Sequence, residues 1–233
     1  DEPVTVVVSL KGWVRALKGH EVDPAALGFK SGDALYGVFP CRSVDPLIVL
    51  GSNGRAYSVP VSALPGGRGD GQPITTLIEL ESGSQIAHYF AGASSQRLVL
   101  AGTGGFGLLA EVGDLVGRQK AGKGFLSLEG DERPLPPAPV APGASQLACL
   151  TLGGRLLSFP RDELKHQPKG GRGLTLIDLE PKDALLSVAA FAQQLLVQGS
   201  GRGGKAEEET LKGAALAAHA GKRARKGKAV EGL

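Results

Sequence analysis

The stretch LIVLGSNGRAYSVP, residues 47–60, decides the fold. Four apolar residues are followed by a turn signal and then by a second run that ends in Val59-Pro60, a pattern typical of paired strands. Asn53-Gly54 is a strong local signal for a β-hairpin, and it predicts a two-residue turn with positive φ at both central positions. The stretch therefore predicts two short antiparallel strands.

The same plan recurs five times along the chain. Each copy has an apolar run, three intervening residues, a glycine and a second run. The glycines are spaced 42, 51, 49 and 47 residues apart, and they are Gly12, Gly54, Gly105, Gly154 and Gly201. A period near 50 residues with several short strands in each unit is typical of sheets arranged as blades around an axis.

We therefore predict an all-β, propeller-like domain over residues 1–213, with repeats near 1–45, 46–95, 96–143, 144–192 and 193–221. The fifth repeat is degenerate, because its second run, GGKAEEE at 203–209, is a poor strand. Residues 214–233 are rich in Ala, Gly and Lys, and they are predicted to form a basic, mobile tail.

Composition narrows the class of protein. The chain has 36 Gly and 15 Pro among 233 residues, which opposes a helical bundle because both residues interrupt helices. No apolar run reaches the roughly 18 residues of a membrane-spanning helix, so no membrane embedding is predicted. The chain starts without a signal-peptide pattern and contains no Met, and we expect a fragment of a longer protein. Cys41 and Cys149 are far apart, which favours reduced thiols and a cytoplasmic location.

Patterns that suggest catalysis lack the context that the chemistry needs. Residues 102–107 fit GxGxxG, but a strand-like run follows where a dinucleotide site needs a helix. Residues 117–123 approach a phosphate-binding loop, but Gly124 stands where the Mg²⁺-binding hydroxyl belongs. The four histidines are scattered singly, which opposes a metal site. We predict no catalytic residue, no metal and no cofactor in this domain.

Cations beside glycines are the best functional candidates. Gly67-Arg68-Gly69, Gly122-Lys123-Gly124 and Gly171-Arg172-Gly173 recur in successive repeats, and glycine lets backbone amides approach a phosphate closely. If these loops are equivalent, blade symmetry places them along one rim. The predicted phosphate-binding set, with the neighbouring cations and the analogous Lys18, is Lys18, Arg68, Arg118, Lys120, Lys123, Lys165, Lys169, Arg172, Lys222 and Arg223. Such a set binds the phosphate backbone of a nucleic acid and does not distinguish base sequences.

Two other functions fit the same residues. A propeller-like protein-interaction module could use a basic rim to meet an acidic partner. An enzyme with a site on the blade axis is the third reading, although no residues support it.

Four long segments resemble the C-terminal domains of the A subunits of bacterial topoisomerase IV and gyrase. They are EPVTVVVSLKGWVRALKGH, SNGRAYSVPVSALPGGRGDG, GFGLLAEVGDLVGRQKAGKGFLSL and GGRLLSFPRDELKHQPKGGRGLTLIDL, within residues 2–199. The resemblance implies a β-pinwheel of about five four-stranded blades that exchange strands, in a ring that can be open. It also implies that the basic loops hold and bend duplex DNA.

The resemblance extends to partners. It implies an association with the rest of the A subunit and with the ATPase subunit, in a heterotetramer that uses ATP and Mg²⁺ outside this domain. The isolated domain is expected to be monomeric, and the location is cytoplasmic, at the nucleoid. Gyrase domains carry a QRRGGKG-type box in the first blade, where this chain has only Lys18-Gly19-His20-Glu21. That departure favours topoisomerase IV over gyrase, and bending over tight wrapping.

Overall fold

A computed structural model of the chain describes residues 1–200 and 204–231. Nearly all of its regular structure is β, since glycine and proline interrupt the chain too often for long helices. The strands are β1 (Pro3–Ser9), β2 (Trp13–Lys18), β3 (Leu35–Arg42), β4 (Pro46–Gly51), β5 (Arg55–Pro60), β6 (Gln72–Pro73), β7 (Ile86–Ala91), β8 (Arg97–Ala101), β9 (Phe106–Glu111), β10 (Lys123–Gly124), β11 (Ala138–Val140), β12 (Gln146–Thr151), β13 (Arg155–Pro160), β14 (Leu174–Thr175), β15 (Leu185–Phe191), β16 (Gln194–Ser200), β17 (Ala206–Lys212) and β18 (Lys228–Ala229).

In the part of the chain that the structure describes, helical structure is confined to single turns. Five 3₁₀ turns cover Pro24–Ala26, Val61–Ala63, Ile74–Thr76, Val112–Leu115 and Arg161–Glu163, and one short α-helix, α1, covers Gly213–Ala217. No helix among the described residues is long and apolar enough to cross a membrane.

The chain forms two compact units. Unit 1 comprises Asp1–Gln96 with Ala110–Ser127, and unit 2 comprises Arg97–Leu109 with Leu128–Leu233. Unit 1 contains blade 1, in the strand order β3-β1-β2-β6, and blade 2, in the order β7-β4-β5-β10. Unit 2 contains most of blade 3 (β11-β8-β9-β14), blade 4 (β15-β12-β13-β18) and the two-stranded sheet β16-β17.

Each four-stranded blade receives its last strand from the next repeat. β6 of the second repeat pairs with β2, and β10 of the third repeat pairs with β5. In the same way β14 pairs with β9, and β18 pairs with β13. This confirms the expected strand exchange. Among the described residues, the fifth repeat contributes a two-stranded hairpin rather than a complete blade.

The first strand of each hairpin lies at the centre of its blade. All six residues of β4 are buried: Leu47 and Val49 join the core of unit 1, while Ile48 and Leu50 are covered on the other face. A strand that is covered on both faces does not alternate apolar and polar residues, which explains the continuous apolar runs in the sequence. In unit 2 the corresponding residues Leu147 and Cys149 belong to a separate core.

The hairpin turns are longer than predicted. β4 ends at Gly51 and β5 begins at Arg55, so three residues form the loop, and the amide of Gly54 donates to the Gly51 carbonyl at 2.9 Å. Gly54 has φ +83°, but Asn53 does not have positive φ, so the predicted two-residue turn is wrong. Instead Asn53 accepts a hydrogen bond from the amide of Arg55 at 3.1 Å through its side-chain oxygen, which stabilises the longer loop.

Ordered structure continues past the predicted boundary at residue 213. β18 completes blade 4, and Val230 is buried against the core formed by Leu156, Leu195 and Leu211. The basic, Gly-rich composition predicts a separate tail, but β18 of this segment pairs with the edge of β13. Composition alone does not reveal that pairing. The mobility of residues 214–233 stays a prediction.

Candidate nucleic-acid interface

Four loops carry the chain from one blade to the preceding one. They begin after a helical turn of their own repeat and end where the exchanged strand begins, and we call them the crossing loops. They comprise residues 65–71 and 116–122 in unit 1, and residues 164–173 and 218–227 in unit 2.

A glycine ends each crossing loop. Gly71, Gly122, Gly173 and Gly227 all have positive φ, between +66° and +89°. A Cβ on Gly71 would lie 2.2 Å from the Val14 carbonyl oxygen, and one on Gly173 would lie 2.0 Å from that of Gly107. Only glycine fits, because the exchanged strand passes directly over the backbone of the preceding repeat.

These glycines define which loop positions are equivalent. Relative to them, Arg68 lies three residues before, Lys123 one residue after and Arg172 one residue before. The predicted equivalence of the three Gly-flanked cations is therefore wrong in register. The loops are equivalent as elements, while their cations occupy different positions along them.

The crossing loops are strongly cationic as a group. In chain order they contain one, two, three and four Lys or Arg residues, and one acidic residue, Asp70. Eight of the ten predicted residues lie in these loops. The other two are Lys18, the last residue of β2, which pairs with Val4, and Lys123, the first residue of β10.

In unit 1 most of the predicted cations are available to a ligand. Lys18, Arg68, Arg118 and Lys120 are exposed, and none has a side-chain partner among the residues that the structure describes. Lys123 is half-buried, and its Nζ donates to the Val116 carbonyl at 3.0 Å, which ties the exchanged strand to its own loop.

In unit 2 the predicted cations divide into two kinds. Lys165, Lys169 and Lys222 are exposed, without a side-chain partner in the described part of the chain. Arg172 instead makes two hydrogen bonds to the Glu132 carboxylate, at 2.8 and 3.1 Å, and its guanidinium lies 3.9 Å from the centre of the Phe106 ring. The hydrogen bonds to Glu132 raise the pKa of Arg172 above its ordinary value.

Arg223 is also engaged within the fold. Its side chain donates to the Thr175 carbonyl at 2.7 Å and to the Glu163 carbonyl at 3.1 Å, and its amide donates to the Glu163 carboxylate. Arg172 and Arg223 therefore hold their crossing loops in place. Contact of either residue with DNA stays a prediction.

Two arginines to which the sequence pattern assigned no role hold the ends of crossing loops. Arg55, directly after the hairpin glycine, donates to the carbonyls of Ala121 and Gly122 at 2.6 and 3.0 Å. Arg155, at the same position of the fourth repeat, donates to Gly227 at 3.2 Å. In blade 3 the residue directly after the hairpin glycine is Phe106. The arginine that contacts it, Arg172, belongs to the crossing loop. The sequence signal for these contacts was the recurrent Gly-Arg pair. The carbonyls that its arginines bind lie in the next repeat.

Two further cations of the crossing loops, Arg225 and Lys226, lie outside the ten predicted residues. Arg225 is exposed in the crossing loop 218–227 and has no side-chain partner among the described residues. Its neighbour Lys226 is paired with Asp178 and Glu180, at 3.5 and 3.4 Å, and both pairs are half-exposed. Among the described residues no group of His, Cys, Asp and Glu side chains is arranged to hold a metal ion.

The fold has counterparts in known proteins. The family model described as "DNA gyrase C-terminal domain, beta-propeller" matches residues 45–84 and 145–192. The solved structure of the Escherichia coli ParC C-terminal domain superposes with a TM-score of 0.86 at 31% identity, over 100% of this chain and 96% of that one. A gyrase A C-terminal domain, at 18% identity and a TM-score of 0.70, shares the fold over 97% of this chain and 76% of that one.

The curated relatives are longer proteins. The A subunit of DNA topoisomerase 4 from Neisseria gonorrhoeae is 35% identical over 97% of this chain and 30% of the relative. The corresponding protein of E. coli K12 is 33% identical over 82% of this chain, and the match covers 25% of that protein. The fold is thus the β-pinwheel of type II topoisomerase A subunits. The chain belongs to the family of topoisomerase IV A subunits, and it corresponds to their C-terminal, non-catalytic domain.

Proposed function

We propose that this domain binds duplex DNA without sequence preference and bends it. The observation that carries the proposal is the charge of the crossing loops, which contain ten cations and one acid. Most of these cations are exposed and have no side-chain partner among the residues that the structure describes. A set of exposed cations neutralises phosphates and releases counterions, a contribution that does not depend on base sequence.

The proposal includes the larger assembly. The chain spans about a third or less of the length of its curated relatives, so the partners are inferred through them. The domain acts with the rest of the A subunit and with the ATPase subunit, at the nucleoid in the cytoplasm, and ATP and Mg²⁺ are used elsewhere in the enzyme. By distinguishing DNA geometries, the domain sets which DNA topologies the enzyme prefers during decatenation and supercoil relaxation.

A titration of duplex DNA at several salt concentrations tests DNA binding. We expect log K to fall linearly with log salt, by roughly 0.9 for each phosphate contact. Replacing Arg118 and Lys120 by Gln should weaken binding to all sequences alike and reduce the slope by about two. The matched control replaces Lys11 and Lys205 by Gln, since both are exposed outside the crossing loops. No binding near 50 mM salt, or a slope that the control variant changes as much, would contradict the proposal.

A cavity beside one crossing loop supports a second candidate, an interaction module for an acidic protein. The cavity, of about 490 Å³ within unit 1, is lined by Leu77 and the exposed apolar side chains of Val44 and Val116, with Arg118 and Lys120 beside them. An acidic segment with one apolar anchor fits this chemistry. Specific binding of such a peptide together with absent DNA binding would favour this function.

A further inference from the structure

The hairpin β16–β17 differs from the other hairpins in its edges. In blades 1–4 the first hairpin strand pairs with a third strand, and the second pairs with an exchanged strand. Among the described residues, no strand pairs with the outer edge of either β16 or β17. An unpaired edge presents a row of backbone amide and carbonyl groups to which another strand can add.

The hairpin is nevertheless a well-anchored sheet. Its two strands pair over seven consecutive positions, from Gln194 with Lys212 to Ser200 with Ala206. Leu195, Val197 and Leu211 are buried in the core that also contains Leu156 and Phe191 of blade 4. The edges are therefore held in an extended conformation by packing, which lowers the entropy cost of adding a strand.

Charge decides what can occupy the edge of β17. Glu207, Glu208 and Glu209 follow one another in this strand, and all three are exposed. Only Glu208 has a described partner, the amide of Gln198 at 2.7 Å. A second copy pairing β17 with β17 would bring two such runs together, and like charges on neighbouring strands repel. The edge therefore opposes self-association and favours a basic strand.

The chain itself shows what an added strand looks like. The exchanged strands of blades 2 and 4 are Lys123–Gly124 and Lys228–Ala229, and each pairs with the first two residues of the second hairpin strand. The equivalent position on β17 is Ala206-Glu207, directly before the remaining glutamates. A lysine placed there by a partner would meet carboxylates rather than the backbone alone.

We propose that the outer edge of β17 is a docking site for a Lys- and Arg-rich extended segment of a partner protein, bound by strand addition. The site lies outside the crossing loops, so it does not depend on DNA binding. Backbone hydrogen bonds supply part of the affinity, and Glu207–Glu209 select for positive charge.

A fluorescent peptide with the sequence of residues 221–230, GKRARKGKAV, tests the proposal on the full 233-residue chain. We expect saturable binding, and new protection of the β17 amides from hydrogen exchange. The variant Glu207→Lys/Glu208→Lys/Glu209→Lys should weaken binding at least tenfold. The control, Glu21→Lys/Glu79→Lys/Glu231→Lys, makes the same charge change at exposed sites elsewhere and should bind almost normally.

A second peptide separates strand addition from general charge attraction. The same sequence with alternate backbone amides N-methylated keeps its charge but cannot complete a ladder, and it should not bind. Equal binding of the methylated peptide, or equal weakening by the control variant, would overturn the proposal. Because all six substituted glutamates are exposed, circular dichroism should show an unchanged fold for both variants. DNA affinity measured in parallel keeps this result separate from the proposed function.

Discussion

At the scale of single residues, the glycines that end the crossing loops should limit the stability of the fold. Gly173→Ala combines the cost of positive φ with a Cβ 2.0 Å from the Gly107 carbonyl oxygen. We expect a loss of about 3 kcal/mol in the free energy of unfolding, about 1 kcal/mol from backbone strain and the rest from the displaced strand. Urea unfolding measures it.

Gly143→Ala is the matched control for this prediction. Gly143 has φ +84°, but nothing lies within 4 Å of the place that a Cβ would take, so only the backbone cost of about 1 kcal/mol remains. Equal losses for the two variants would show that strand crossing is not what requires glycine at position 173.

A buried thiol gives a pH dependence with a defined sign. Burial raises the pKa of Cys149 from 9.0 to about 12. Between those values the folded state keeps a proton that the unfolded state loses, so stability falls as pH rises above 9, by up to about 1.4 kcal/mol per pH unit. Urea unfolding between pH 7 and 11 should show a shallower fall for Cys149→Ala. Identical slopes in the two proteins would contradict this assignment.

At the scale of elements, β18 should contribute to the stability of blade 4. Val230 directly follows this strand and is 6% exposed, so Val230→Ser removes apolar burial worth about 2 kcal/mol. Its exposed neighbour provides the control, because Glu231→Ser removes no buried surface. If both substitutions leave the free energy of unfolding unchanged, residues 218–231 behave as the separate tail that composition suggested.

The elements also show which features a sequence can reveal. The hairpins of blades 1–4 were predictable, because the apolar runs and the glycine of each lie within about fifteen residues of one another. The fifth was not, because its second run was expected to be a poor strand, whereas Ala206–Lys212 form β17. The register of the crossing loops was not, because Gly69 and Gly71 are indistinguishable until Val14, a residue of the preceding repeat, is placed against one of them. Arg172 likewise looked like a free cation, because its partner Glu132 is 40 residues away.

At the scale of the whole molecule, the charge of the crossing loops limits what the domain can recognise. Every duplex offers the same phosphates, so cations that contact only backbone cannot separate one sequence from another. They can still separate straight DNA from bent or crossed DNA, because curvature changes how many phosphates reach the loops and how much deformation the protein must supply. Under the proposed function, a preference among DNA topologies is therefore expected from the same contacts that give non-specific affinity.

A topoisomerase IV whose A chains lack the present domain should therefore lose its preference among substrates rather than its chemistry. ATP-dependent strand passage should continue, while the ratio of rates on positively and negatively supercoiled DNA should move toward one. In the complete enzyme, we expect the same change when Gln replaces Arg118, Lys120, Lys165 and Lys169. These cations are exposed, and the substitutions leave intact the hydrogen bonds by which Arg55 and Arg155 hold the crossing loops. Relaxation assays on plasmids of each sign measure the ratio. If deleting the domain changes this ratio and the four Gln substitutions do not, topology preference belongs to another part of the domain.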